Sequence, residues 1–236
     1  MKLTKLLERL DYKVVAGSDN IEITELVNDS RKVVPGSVFV CISGAVSDGH
    51  QYVKDVAEKG AAAVIVEKDV EVPEGLTVIK VEDTRYALAL MSAAYFGYPA
   101  EKLKTIGITG TKGKTTTTYM VKAILEEVGH KVGLIGTIEA IIGDKTIPSN
   151  NTTPESYTIQ KYFAQMVEAG CDCVVMEVSS QGLMLHRTAG IMFDIGIFTN
   201  LGEDHIGPNE HKDFEDYKRC KGLLFKQCKS WNWKCR

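Results

Sequence analysis

Apolar and polar positions along the chain alternate between two periods. Leu3, Leu6, Leu7 and Leu10 recur at helical spacing and predict a helix over Leu3–Leu10. Further helices are expected at His50–Lys59 and Thr84–Phe96, with Gly60 following the first and Asp83 in the N-cap position of the second. Between them lie short strand candidates at Ile21–Val27, Ser37–Ile42, Ala62–Val66 and Thr77–Val81. Gly97-Tyr98-Pro99-Ala100 breaks the pattern and marks a domain boundary, giving domains at 1–99 and 100–236. The second domain predicts strands at Thr105–Thr109, Lys131–Ile135, Cys173–Val178 and Asp194–Thr199, and helices at Lys114–Val128 and Glu155–Ala169. Its strands TIGIT, CVVMEV and DIGIFTN are continuous apolar runs, which implies burial on both faces of a parallel sheet. Ile138–Ile147, turning at Gly143-Asp144, reads as an edge hairpin. The fold class is therefore α/β: a small N-terminal α/β domain followed by a parallel-sheet domain.

Composition narrows the function. The chain has 236 residues with a net charge of −3, 44% hydrophobic and 25% charged residues, as in an ordinary globular protein. No basic excess exists to attract nucleic acid. Glu8 and Arg9 interrupt the N-terminal apolar face, so it is no secretory signal, and no run approaches membrane-spanning length. None of the six cysteines forms a CxxC pair, and Cys171 and Cys173 read as core thiols. Together these features predict a cytoplasmic protein with no membrane or nucleic-acid partner.

The strongest chemical signal is Gly107–Thr116, a buried strand running through a glycine-rich turn into a helix beginning at Lys114. Glycines let backbone N–H groups wrap a phosphate, and the helix N-terminus adds positive potential. Lys114 would reach the outer phosphates and the Thr115 hydroxyl would meet Mg²⁺. Ile108 stands where the strict phosphate-loop pattern has glycine, so the loop is a variant whose first glycine is Gly110. Three polar clusters sit beyond strand ends, where open α/β sheets bind ligands. They are Glu177–Gln181, whose carboxylate suits a metal, Thr199–His205, and Asn150–Pro154, which also caps the following helix. His186-Arg187 is a candidate anion clamp, and His130 reads as a solvated turn residue.

Taken together, TGTKGKTT (109–116), Asn28-Asp29-Ser30-Arg31, FVCISGAVSDGHQYV (39–53), NTTPE (151–155), MEVSSQGL (176–183), His186-Arg187, the TNL…DH run (199–205) and the Lys221 and Leu223–Phe225 stretch resemble the Mur ligase family of bacterial cell-wall synthesis. The resemblance covers residues 1 to about 228. It implies an ATP-dependent amide ligase that adds a diamino acid, meso-diaminopimelate or L-lysine, as third residue to UDP-N-acetylmuramoyl-L-alanyl-D-glutamate. It implies that Gly110, Thr111, Lys112, Gly113, Lys114, Thr115, Thr116 and Asn200 bind ATP. Ser30, with Asp29, Arg31 and Gly44–Ser47, would take the uridine end of the UDP-sugar. Asn151, Thr152, Thr153, Ser179 and Arg187 would hold the UDP-MurNAc-dipeptide. Thr115, Glu177, His205 and a carbamylated Lys221 would ligate Mg²⁺, with Lys114, Glu177, His205 and Lys221 as the catalytic set. A monomer acting on small molecules is implied.

Gln181, Leu185 and Ile206–Asn209 depart from the family pattern. A generic P-loop kinase or NTPase remains the rival enzyme reading. The tail Lys229–Arg236, basic and carrying both tryptophans (Trp231 and Trp233), is expected to lie off the family pattern where an apolar strand belongs. That predicts a frameshifted or truncated reading frame lacking the family's C-terminal amino-acid-binding domain. An inactive fragment that still binds nucleotide and UDP-sugar is the corresponding alternative.

Overall fold

The computed structural model describes residues 1–44, 47–208 and 210–232. The chain divides into two compact units, Met1–Tyr95 and Phe96–Arg236.

In the first unit, strands β1 (Lys13–Ala16), β2 (Leu26–Val27), β3 (Val38–Val40), β4 (Ala63–Val66) and β5 (Thr77–Lys80) form one sheet in the order β1-β5-β4-β3-β2. Strands β2 to β5 are parallel and β1 pairs antiparallel with β5. Helices α1 (Leu3–Leu6), α2 (Val53–Glu58) and α3 (Thr84–Tyr95) accompany it. The expected strand Ile21–Val27 shrinks to Leu26–Val27, because Ile21 and Ile23 bond to Leu3 and Met1 instead of to the sheet. The expected helix Leu3–Leu10 ends at Leu6, though Leu7 stays buried. Strand β1 lacked a legible pattern because it is an exposed edge: Val14 and Val15 face solvent.

The second unit has a seven-stranded sheet. Its strands are β6 (Lys104–Thr109), β7 (Val132–Ile135), β8 (Glu139–Ile142), β9 (Lys145–Pro148), β10 (Cys173–Glu177), β11 (Phe193–Phe198) and β12 (Cys228–Asn232). The order is β12-β11-β6-β10-β7-β8-β9, with β7–β8 and β8–β9 paired antiparallel and the other neighbours parallel. Helices α4 (Lys114–Glu127), α5 (Ser156–Glu168), α6 (Ser180–Met184) and α7 (Phe214–Lys226) cover it. One face packs Val121 and Leu125 of α4 on Ile106, Ile108 and Val175. The other packs Ile159, Phe163 and Met166 of α5, with Leu224 of α7, against Val174, Met176 and Phe193.

Two expectations change here. Strands β6 and β10 are buried on both faces, but β11 is not: Ile195 is 40% exposed. Helix α4 packs chiefly on β10, β7 and β6; Ile197 of β11 reaches the apolar cluster beneath it, while Ile195 stays half-exposed. The break expected after Cys228 is also corrected for residues 229–232, which pair in parallel with β11 from Phe193–Cys228 to Ile197–Asn232. A strand forms there without an apolar run because Asp194 satisfies the polar residues: Lys229 Nζ lies 3.0 Å from its carboxylate, and Ser230 Oγ donates to its carbonyl. Trp233 and the residues after it lie outside the described residues. No helix among the described residues is long and apolar enough to cross a membrane.

Candidate active site

The site is built at the C-terminal ends of the second unit's parallel strands. Strand β6 ends at Thr109, residues 110–113 turn, and α4 starts at Lys114. The turn needs glycine at Gly110, where φ is +144° and an added Cβ would collide with Thr199 Oγ1. The segment after β11 straps the loop down. Lys112 N donates to Asn200 Oδ1 at 2.9 Å, while Thr199 Oγ1 and Asn200 Nδ2 donate to Lys112 O at 2.7 and 3.0 Å. Asn200 thus reaches the phosphate loop, as a brace. The Thr111 hydroxyl accepts from Tyr217 Oη at 3.0 Å and from Gly202 N. Lys112 Nζ is exposed and pairs with Asp204, holding that carboxyl below its usual range.

Two lysines, one half-buried and one buried, converge on one carbonyl. Lys114 Nζ donates to Gly110 O and Thr111 O at 3.0 and 3.1 Å. Lys221 Nζ, from α7, donates to Gly110 O at 2.7 Å and lies 4.6 Å above the Tyr217 ring. Lys221 is 1% exposed. Burial, and then the nearby Lys114, push its amine down to about 7, and burial also lowers Lys114.

The carboxylate expected to hold metal is buried beside the loop. Glu177 Oε2 accepts from Thr115 Oγ1 and Thr137 Oγ1, both at 3.0 Å, and Oε1 accepts from Thr137 N. A carboxylate and a hydroxyl in contact offer the hard oxygen donors that suit Mg²⁺. His205 is brought to the same cleft as Lys114 and Lys221, but its ring pairs with Glu210 at 3.0 Å and no contact to Glu177 is made.

Asn151, Thr152, Thr153, Ser179 and Arg187 line that cleft too. Thr152 Oγ1 lies 3.0 Å from Thr137 Oγ1. Thr153 is buried and spent on structure: its hydroxyl donates to Glu177 O and accepts from Ser179 N. The 150–154 loop therefore does not cap α5, whose N-cap Glu155 makes no capping bond. Ser179 caps α6 through Gly182 N. Arg187 donates to Thr153 O and pairs with Glu155 at 2.7 Å. Thr116 lies in the first turn of α4. His130, expected to be solvated, is exposed and pairs with Asp172 at 2.8 Å. In the first unit, Ser30 opens a 3-10 turn capped by Asp29, whose carboxyl the Arg31 guanidinium holds down at about 2. Ala45 and Val46 of the Gly44–Ser47 stretch lie outside the described residues.

Sequence reasoning missed Thr137, His211, Asp216 and Tyr217, and named Ser180 only as part of the Glu177–Gln181 cluster. A signal for Tyr217 was present. Asp213 caps α7, and Tyr217, Cys220, Lys221 and Leu224 recur at helical spacing on its buried face.

A family model described as the Mur ligase middle domain matches residues 108–233, and one described as the Mur ligase family catalytic domain matches 22–96. The chain belongs to the Mur ligase family. Among curated Mur ligases, it is 49% identical over 227 residues to the UDP-N-acetylmuramoyl-L-alanyl-D-glutamate--2,6-diaminopimelate ligase of Clostridium perfringens, covering 96% of this chain and 46% of that protein. It is 50% identical over 229 residues to ligase 1 of the same name from Clostridium acetobutylicum, covering 97% and 47%. The chain thus spans about half the length of the curated relatives it matches. A solved structure of a ligase with that name superposes with a TM-score of 0.80 at 23% identity, over 98% of this chain and 46% of that one. MurF from Acinetobacter baumannii superposes at 0.61 and 20%, over 96% and 46%. These two superpositions establish the Mur ligase fold.

Proposed function

We propose that this chain carries the UDP-sugar-binding and ATP-binding domains, about 1–99 and 100–236, of a ligase that joins 2,6-diaminopimelate to UDP-N-acetylmuramoyl-L-alanyl-D-glutamate at the expense of ATP. One observation carries the reading. Lys114, Lys221 and the Thr115–Glu177 pair surround a phosphate loop in a chain half-identical to ligases of that name. The diaminopimelate in the relatives' names favours it over lysine as the added residue.

In this reading Gly110–Thr116 cradle the phosphates, and Lys114 exchanges two loop carbonyls for phosphate oxygens. Thr115, Glu177 and His205 would hold Mg²⁺, which neutralises charge on the phosphates. Ser30 serves the uridine end in the first unit. Asn151, Thr152, Thr153, Ser179 and Arg187 serve the acceptor in the second, with Thr153 and Ser179 acting through the backbone they fix. A carboxylate oxygen of the D-glutamyl residue takes the γ-phosphoryl group and ADP leaves. The diamino acid's amine then attacks the acyl carbon, inorganic phosphate leaves, and the amine gives up a proton. Lys221 would act as a carbamate: an ammonium with one acceptor is poorly satisfied, whereas its neutral amine adds to CO₂, releases a proton and gives an anion that answers Lys114. A further domain binding the diamino acid would account for the relatives' remaining length. The five described cysteines are unpaired and four are buried, in keeping with a reducing compartment such as the cytoplasm.

Calorimetric titration tests the reading. ATP with Mg²⁺ and the UDP-MurNAc-dipeptide should each bind, and Lys114→Ala should abolish the first while sparing the second. Failure of the wild-type chain to bind either ligand overturns the proposal.

A further inference from the structure

Three side chains in the second unit form a connected line that the reading above does not use. Ser180 Oγ lies 2.9 Å from His211 Nε2, and His211 Nδ1 lies 3.2 Å from Asp216 Oδ2. His211 is 1% exposed and Ser180 3% exposed, and both line the cleft that holds Lys114 and Arg187. The Tyr217 ring closes against the imidazole at 5.3 Å. The other oxygen of Asp216 takes Arg219 Nη2 at 2.7 Å, which keeps the carboxylate charged.

The direction of these bonds follows from the acceptor at the far end. A carboxylate only accepts, so the proton of the neutral imidazole sits on Nδ1 and points at Asp216. Nε2 is then a bare acceptor and takes the Ser180 O–H. The hydrogen of Ser180 is committed to protein, and its oxygen lone pairs remain for a ligand. Three of its cleft neighbours have the opposite character. Lys114, Lys221 and Arg187 are donors, and Arg187 Nε is buried with no partner among the described residues. Donors suit the phosphates and carboxylates of a substrate, and an oriented acceptor suits an N–H.

We propose that Ser180 is a further substrate-contacting residue, its hydroxyl oxygen accepting a peptide N–H of the acceptor substrate, with His211 and Asp216 as the positioning residues that fix its polarity. The inference rests on the functional reading above and adds a discrimination to it. Within UDP-MurNAc-L-Ala-D-Glu, the peptide amides are what UDP-MurNAc alone lacks.

The test is calorimetric titration of the chain with UDP-MurNAc-L-Ala-D-Glu and, separately, with UDP-MurNAc. Ser180→Ala should weaken the first about 3- to 10-fold, the size of one hydrogen bond, and leave the second unchanged. Asp216→Asn offers an amide N–H to Nδ1, which moves the imidazole proton to Nε2 and turns the Ser180 hydrogen toward the ligand. It should show the same selective loss, and the double variant should lose no more than either single one. Should Ser180→Ala fold poorly by circular dichroism, Ser180→Cys keeps the bulk, loses the strong acceptor and should behave alike. Ser180 variants that bind both ligands as the wild type does, or weaken both by the same factor, overturn the inference alone. Wild-type chain that fails to bind the dipeptide ligand overturns the functional reading, and this inference with it.

Discussion

Glu67 in the first unit and Lys221 in the second answer the same problem in opposite ways. Each is an ionisable group drawn away from water. Glu67 Oε1 accepts from Ser43 Oγ at 2.5 Å, and Oε2 accepts from Thr84 N and Oγ1 at 2.9 and 2.8 Å. Burial alone would raise its carboxyl, but these donors carry it below the usual range. Lys221 has one acceptor, Gly110 O, and another lysine as neighbour, so the charge of Asp204 offsets little of its burial. Protein dipoles have replaced water around Glu67, which marks it as a structural anion. Among the described residues, the Nζ atoms of Lys114 and Lys221 bond to carbonyls and to no carboxylate, as expected where an anionic ligand completes the set.

The largest effect that would break this contrast is at Lys221. With a folded value of about 7 against 10.5 unfolded, the unfolded chain binds more protons between those pH values. Stability should therefore rise with pH from about 7 to 10.5, and the full penalty of holding the ammonium should be felt below 7. Lys221→Met removes a penalty of about 4 kcal/mol at pH 7. It also loses a hydrogen bond of about 1 kcal/mol, for a net stabilisation of roughly 3 kcal/mol. Urea unfolding in CO₂-free buffer should show that gain at pH 7 and its decay toward pH 10. A variant less stable than wild type at pH 7 would mean that Lys221 is satisfied as Glu67 is.

Glu67→Ala tests the other side. It strands the hydroxyls of Ser43 and Thr84 and the Thr84 amide, and should cost about 2–3 kcal/mol. Because the folded carboxyl lies below its unfolded value, its contribution is present above about pH 4.5 and is lost as pH falls further. Hydrogen exchange at the α3 amides should accelerate at pH 7 in the variant. Unchanged protection would show that the three donors find water instead.

The contrast was only half legible in the sequence. The strand–loop–helix at Thr109–Lys114 could be read directly, because glycines and a following lysine have few other uses at that junction. Strands β6 and β10 were equally plain, since burial on both faces writes an unbroken apolar run. Strand β12 was hidden because its polar residues are satisfied by Asp194, a partner some 35 positions away. Chemistry that depends on distant pairing was hidden for the same reason. Nothing local to Glu67 announces Ser43 and Thr84, and nothing local to Lys221 says that its one acceptor is Gly110, 111 residues earlier. The Ser180–His211 contact, across 31 positions, is of that kind as well. Sequence pattern reports which face of an element is apolar. It does not report which polar groups the fold will bring together.

The smallest effect separates ion pairing from burial. Lys68 Nζ lies 2.7 Å from Asp48 Oδ2, as close as Lys221 lies to its acceptor, but Lys68 is 53% exposed. Its hydrogen bond with Asp48 raises the Lys68 amine and lowers the Asp48 carboxyl, so by sign alone the pair is stabilising. Water and salt screen such a pair, and a long side chain loses freedom in making it. Removing Lys68 leaves Asp48 Oδ2, on a partly exposed side chain, to be met by water. Asp48 still accepts from His50 N at 3.1 Å and contacts His50 Nδ1 at 2.6 Å, and His50 Nε2 still accepts from Glu67 N. Lys68→Ala should therefore shift the thermal midpoint by no more than about 2 °C, and by less in high salt. A fall as large as that of Glu67→Ala would show that proximity, rather than loss of solvent, sets the worth of a charged group in this unit. The contrast between Glu67 and Lys221 would then need another cause.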